Sequence, residues 1–167
     1  MASHLYFIVV LCLTAGLWTR TMAQESEVDE DDYEVCCVKC PPGWTQFGDN
    51  CYIFYFNAKD WADAEVSCIS VGGNLASIHT QDQYNFVTEM ISRSTGSAAR
   101  TWIGGHDAVK EGVWLWSNGE KFDFTFWAKG EPNNVGQNED CLELNYQGKP
   151  NDCDCKFKNP YVCSMRL

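Results

Sequence analysis

Glu131-Pro132-Asn133-Asn134-Val135-Gly136-Gln137-Asn138-Glu139-Asp140-Cys141, followed further on by Asn151-Asp152, is the stretch on which the reading of this chain turns. It is dense in short side chains that end in oxygen. Glu131, Glu139 and Asp152 supply carboxylates, and Asn133 and Asn151 supply amide oxygens. Such donors suit a hard cation, since calcium takes about six to eight oxygens from carboxylates, carbonyls and waters. Pro132 follows Glu131, and an X–Pro bond adopts the cis form at low cost and turns the chain sharply. A turn there would aim Glu131 and Asn133 at a common point. A polar surface loop with no ligand is the plain alternative, because connecting segments run over the surface. The stretch holds too much Asn, Gly and Pro for a helix, and long structured loops of this kind are often functional.

On either side of this loop the chain alternates between short elements. Leu142-Glu143-Leu144-Asn145-Tyr146 reads as a strand within the loop region, and Tyr161 to Cys163 as the strand that closes a sheet. Upstream, Trp114, Trp116, Phe122, Phe124, Phe126 and Trp127 alternate with polar residues. They read as core, with a sugar-stacking platform as the alternative. Thr80-Gln81-Asp82-Gln83 has the form of a capping box, with Tyr84, Val87 and Ile91 on the buried face of the helix that follows. Asp60 is a candidate N-cap for an earlier helix, in which Trp61, Ala64, Cys68 and Val71 recur at helical spacing and which Gly72-Gly73 ends. Trp44 to Phe56, rich in aromatic residues, has strand composition. The implied fold class is α+β: two helices, a small mixed sheet and a long loop region held open by metal.

The chain has 167 residues and a net charge of −11. That charge argues against nucleic acid or an anionic membrane as partner. Residues 1–23 read as a signal peptide, with the apolar run Leu5 to Leu13 and small residues at Thr21-Met22-Ala23. A membrane anchor is the alternative, but the run is shorter than the ~20 residues a span needs. Residues 24–39 are an acidic spacer, in which Glu25, Glu27, Asp29, Glu30, Asp31, Asp32 and Glu34 stand with no basic residue up to Val35. Like charges keep such a run solvated and extended; a calcium-buffering or partner-binding tail is the functional alternative. The domain proper is 40–167. Of the 10 cysteines, Cys12 falls in the signal peptide, which leaves an odd number in a secreted chain. One thiol must then stay free or bridge to another chain. Cys36 and Cys37, adjacent to the spacer, are the candidates for a disulfide-linked homodimer, the alternative being an internal bond to Cys153.

Several of these motifs together resemble the C-type lectin domain family. The resemblance rests on Glu131-Pro132-Asn133, Glu139-Asp140-Cys141, Asn151-Asp152 with Cys155, Cys40-Pro41-Pro42-Gly43-Trp44 with Cys51-Tyr52, Trp102-Ile103-Gly104-Gly105 and Tyr161-Val162-Cys163. It covers about Cys40 to the carboxyl end. A signal peptide, an acidic spacer and one such domain resemble the small secreted lectins of fish, among whose relatives are venom lectins and ice-binding proteins. The resemblance implies disulfides Cys40–Cys51, Cys68–Cys163 and Cys141–Cys155. It implies that Glu131, Asn133, Glu139, Asn151 and Asp152 bind a principal calcium, and that Asp107, Glu111, Asn134 and Asp140, with Glu139, form an auxiliary site; a solvated acidic face is the alternative for the second set. It implies a sugar held by two vicinal hydroxyls, one at the Glu131/Asn133 pair and one at the Glu139/Asn151 pair. The Glu-Pro-Asn form belongs to the class that takes mannose, N-acetylglucosamine or fucose, on microbial or cell-surface glycans. One departure stands out: Pro150 occupies the place where a tryptophan often precedes Asn-Asp.

Other functions fit less well. Outside the signal segment only His79 and His106 offer imidazoles, and no nucleophile sits in a recognisable setting. Glu131 and Glu139 as a glycosidase pair conflict with a metal-ligand role, because a metal-bound carboxylate is a poor general acid. Ice binding on the same fold is the principal alternative, although an acidic surface suits it less than a flat neutral one. A protein-binding role of the venom type is a third.

Overall fold

The computed structural model describes residues 39–124 and 127–167. The expected signal segment, nearly all of the acidic spacer, Cys36, Cys37 and Phe126 lie outside the described residues.

Strands β1 (Thr45–Phe47) and β2 (Asn50–Lys59) form a hairpin, and β2 pairs antiparallel with β8 (Asn159–Arg166), so that both ends of the described domain meet in one ladder. β8 lies parallel to β4 (Thr101–His106) through Trp102 and Tyr161. β6 (Cys141–Tyr146) and β7 (Lys149–Cys153) extend the sheet beyond β4, in the order β1-β2-β8-β4-β6-β7. The short strands β3 (Asn74–Leu75) and β5 (Leu115–Trp116) pair with β8 and β4. Tyr161-Val162-Cys163, read as a closing strand, is thus at the centre of the sheet.

Helix α1 (Trp61–Ser70) begins where Asp60 accepts a hydrogen bond from Asp63 N at 2.9 Å. Ala64 and Cys68 bury its inner face. Val71 does not follow them. It lies past the last helical residue and is 41% exposed, because the chain turns away at Gly72, whose φ of +88° favours glycine. Helix α2 (Gln81–Thr95) is capped by Thr80 Oγ1, which accepts from Gln83 N at 3.1 Å. Gln83 Oε1 takes up His79 N rather than the cap residue's own N–H, so the box is displaced by one residue. Tyr84, Val87 and Ile91 are buried as the spacing predicts.

The core has two parts. One joins α2 to Ile103, Trp116, Leu142 and Leu144, with Trp114, Phe122, Phe124 and Trp127 packed partly against it. The described members of the aromatic run therefore belong to the core, where Trp114 meets Phe122 and Trp127, and Trp116 meets Phe122, in tilted ring pairs. The other part gathers Trp102, Tyr161 and the cysteines Cys68, Cys141, Cys153 and Cys163. Among the described residues the disulfides are Cys40–Cys51, Cys68–Cys163 and Cys141–Cys155, and Cys153 is a buried free thiol.

The loop expectation for Glu131 to Asp152 needs one correction. Asn151 and Asp152 lie on β7, not in irregular chain. A two-residue turn at Gln147 (φ +48°) and Gly148 (φ +75°) joins β6 to β7, with Tyr146 opposite Lys149. Two positive φ values match the right-handed twist of a tight hairpin. Register then places Glu143 opposite Asn151 and Leu142 opposite Asp152.

Candidate functional site

Two separate pieces of chain build the site. The hairpin β6–β7 delivers Asn151 and Asp152, which are 5% and 0% exposed. The loop 131–140 lies against it and delivers Glu131, Asn133, Asn134 and Glu139, with the Glu131–Pro132 bond cis as the sequence suggests. Backbone amides of the loop are pinned to the hairpin. Asn133 N donates to Asp152 Oδ1 at 3.2 Å and Asn134 N to Asp152 Oδ2 at 2.6 Å. Asn134 has φ +44°, a left-handed position that asparagine tolerates better than most residues. Its Oδ1 accepts from Glu139 N at 3.0 Å, and Val135 N donates to Glu139 Oε2 at 2.8 Å and to Asn133 Oδ1 at 3.1 Å.

These bonds bring Glu131, Asn133, Glu139 and Asp152 into mutual electrostatic reach. Glu131 Oε2 is buried and has no hydrogen-bond partner among the described residues. Burial pushes the Glu131 carboxyl above its usual value, and the neighbouring Asp152 and Glu139 push it further, against a hydrogen bond from Asn133. Burial also raises Glu139; the Val135 N–H opposes this, and the charges of Asp152 and Glu143 add to it. The carboxylates of Glu131, Glu139 and Asp152 therefore oppose one another's ionisation here. No group of three or more His, Cys, Asp or Glu side chains among the described residues is arranged to hold a metal by itself. The carboxylates of Asp152 and Glu139 instead face backbone N–H groups. The donor set still fits a hard divalent cation: all its atoms are oxygens, one buried carboxylate oxygen has no partner, and the raised carboxyls gain from any positive charge placed between them. Glu131, Asn133, Glu139, Asn151 and Asp152 are the residues that could hold it.

The residues expected at an auxiliary site also come together. Asp107 N donates to Asp140 O at 3.0 Å, Asp107 Oδ2 accepts from Gly112 N at 2.8 Å, and Asn134 Nδ2 donates to Glu111 Oε2. Asp107 Oδ1 is a second buried carboxylate oxygen without a partner among the described residues. Desolvation raises both Asp107 and Glu111, and the surrounding carboxylates raise them further.

Residues that carried no functional signal in the sequence stand behind Asn151. Glu143, 0% exposed, accepts from both Arg100 Nε (2.8 Å to each oxygen) and Arg100 Nη2. It also accepts from Asn151 Nδ2 and Asn159 Nδ2 at 3.0 Å each. A charged residue in the middle of a strand flanked by Leu142 and Leu144 was the only trace of this in the sequence. Asn151 Nδ2 donates as well to the Asp152 carbonyl, so the amide nitrogen is committed to the protein.

The lectin C-type domain family matches residues 57–165. The chain belongs to the C-type lectin domain family. The galactose-specific lectin nattectin of Thalassophryne nattereri is similar, at 47% identity over 129 residues, covering 77% of this chain and 81% of that one. Among solved structures, the cow CD23 carbohydrate-recognition domain, determined in the presence of a GlcNAc2Man3 oligosaccharide, is 33% identical at a TM-score of 0.71 and covers 78% of this chain and 98% of its own. Herring type II antifreeze protein shares the fold at 31% identity and a TM-score of 0.71, covering 77% of this chain and 99% of its own. The lectin match supports carbohydrate binding rather than catalysis. Among the described residues no helix is long and apolar enough to cross a membrane.

Proposed function

We propose that this C-type lectin binds mannose-type sugars (mannose, N-acetylglucosamine, fucose) on microbial or cell-surface glycans through a calcium ion, as a secreted protein. The observation that carries the reading is the buried Glu131 oxygen without a partner among the described residues, close to the carboxylates of Asp152 and Glu139. Glu131, Asn133, Glu139, Asn151 and Asp152 would hold the principal calcium, and Asp107, Glu111, Asn134 and Asp140 an auxiliary one. Calcium supplies a centre at which two vicinal hydroxyls replace water. The chain's own groups orient them: Glu131 accepts from one hydroxyl and Asn133 donates to it, while Glu139 accepts from the other. Asn151 contributes its oxygen; its N–H groups already engage Glu143 and Asp152 O, so donation to the second hydroxyl competes with those bonds.

Galactose binding is the second reading, favoured by nattectin, which is galactose-specific by name. Against it stands the Glu131/Asn133 order of acceptor and donor; the mannose-type reading has support from CD23, studied with a mannose-containing oligosaccharide. Ice binding on the same fold is a third, given the herring neighbour. Residues 1–23 would direct secretion, and Cys36 or Cys37 would link two chains, which raises the effective concentration of weak sites on a surface. The deciding experiment is retention on mannose-agarose and galactose-agarose with calcium and with EDTA, beside thermal hysteresis of the same sample. Mannose retention that EDTA abolishes is expected. Retention on galactose alone replaces the sugar class, and retention unchanged by EDTA ends the calcium mechanism.

A further inference from the structure

Asn151 can serve a cation only through its amide oxygen, so something must decide which end of the amide faces the loop. In this chain the β-ladder decides it. Glu143 and Asn151 are direct cross-strand partners, and Asn151 Nδ2 donates to Glu143 Oε1 at 3.0 Å. The same nitrogen also meets the Asp152 carbonyl. Turning the amide over would set its oxygen against a carboxylate and a carbonyl oxygen at once, so one orientation is strongly favoured. Glu143 is itself held from behind: Arg100 presents Nε and Nη2 to its two oxygens, and Asn159 donates to Oε2 at 3.0 Å. Arg100 pairs with it, which offsets part of the charge of a fully buried carboxylate next to the site. The Arg100 guanidinium lies over the Tyr146 ring, 5.3 Å from its centroid, which braces it on the same hairpin.

We propose that Glu143 and Arg100 are positioning residues for Asn151: Glu143 orients the amide so that its oxygen faces the cation, and Arg100 holds Glu143 in place. This rests on the calcium reading above. Neither residue touches the ion or the sugar. The design is that of an outer group fixing a ligand, and loss of such a partner typically costs about 10–100-fold in metal affinity.

The test compares wild type with Glu143→Met, Glu143→Asp and, as a control for general loss of stability, Cys40→Ser/Cys51→Ser. Arg100 Nη2 and Asn151 Nδ2 share Glu143 Oε1, so an amide at this position could keep both bonds; Glu143→Met instead removes both acceptor oxygens at similar side-chain length and leaves Asn151 Nδ2 without its cross-strand partner. Calorimetric calcium affinity is expected to fall at least tenfold in Glu143→Met, less in Glu143→Asp, and less than threefold in the disulfide control. The second readout needs no calcium: the Asn151 side-chain NH2 resonances should be protected from hydrogen exchange in the wild type and lose that protection in Glu143→Met. If Glu143→Met does not fold, Glu143→Asp carries both comparisons. Unchanged calcium affinity, or freely exchanging Asn151 amide protons in the wild type, overturns the proposal. A wild type that binds calcium but retains no sugar refutes the sugar reading and leaves the positioning comparison intact, whereas one that binds no calcium refutes both.

Discussion

The Cys141–Cys155 disulfide spans the segment that carries Asn151 and Asp152, and replacing both cysteines by serine tests whether it preorders the site. The two must be replaced together, because Cys141 faces the free thiol Cys153 across the ladder and a single change invites exchange. The bond closes a separation of 14 residues. In the chain-entropy account a loop of that size contributes about 3 kcal/mol. Cys40–Cys51 closes 11 residues in the opening hairpin, away from the site, so its removal costs nearly the same, about 2.8 kcal/mol. Cys141 and Cys51 are both buried, at 1% and 0% exposure, so a buried serine hydroxyl penalises the two variants alike. The calcium-free proteins should therefore melt at similar temperatures, both below wild type. Their calcium affinities should differ. Without Cys141–Cys155, ordering of β7 and its exit is charged to calcium binding; if all of it is, about 3 kcal/mol corresponds to a roughly 150-fold weaker dissociation constant. A loss of at least tenfold is expected for Cys141→Ser/Cys155→Ser and less than threefold for Cys40→Ser/Cys51→Ser, measured by calorimetry beside thermal melts. Equal calcium affinities in the two variants would refute preordering by this bond.

The pH dependence of stability should change sign with calcium. Without calcium, Glu131, Glu139, Asp107 and Glu111 have folded-state values raised above their unfolded ones, so protonation favours the folded state, and melting temperature should rise as pH falls from neutral toward the usual glutamate value of 4.5. With calcium bound the same carboxylates are held ionised, protons compete with the metal, and melting temperature should fall over that window; parallel melts with EDTA and with calcium show either opposite slopes or a failed account. Glu131→Gln with Asn133→Asp keeps the count of carboxylates but exchanges acceptor and donor at one hydroxyl, so mannose competition should drop at least tenfold with little change in calcium affinity; an unchanged sugar preference removes this pair as the specificity determinant. His79 sits between Asp123 Oδ1 and Glu120 Oε2, each 2.8 Å away. Burial alone would lower His79, but its bonds to Asp123 and Glu120 outweigh that and raise it, so this clasp stabilises below the ordinary value of 6.5 and is lost as pH rises through the folded value. His79→Gln should flatten the stability profile between about pH 6 and 8, and melts of the two proteins that stay parallel there would contradict it.

Much of this protein is legible along the chain. Asp60 and Thr80 cap their helices through contacts only three residues long, and Tyr84, Val87 and Ile91 face the core because a helix repeats its faces locally. The oxygen-rich run from Glu131 and the cis bond before Pro132 are equally local. Val71 shows where spacing misleads, since the glycine turn ends the helix one step earlier than periodicity suggests. The site itself was only half visible. Asp152 caps the amides of Asn133 and Asn134 from 19 and 18 residues away, and no periodicity encodes that distance. Glu143 read only as one position of a strand, yet it is fully buried and bonded to Arg100, 43 residues upstream, and to Asn151 and Asn159. Residue type and local spacing determined which groups could bind a cation. Which end of Asn151 faces that cation depends on strand register and on an ion pair between distant segments, and only the folded sheet brings those together.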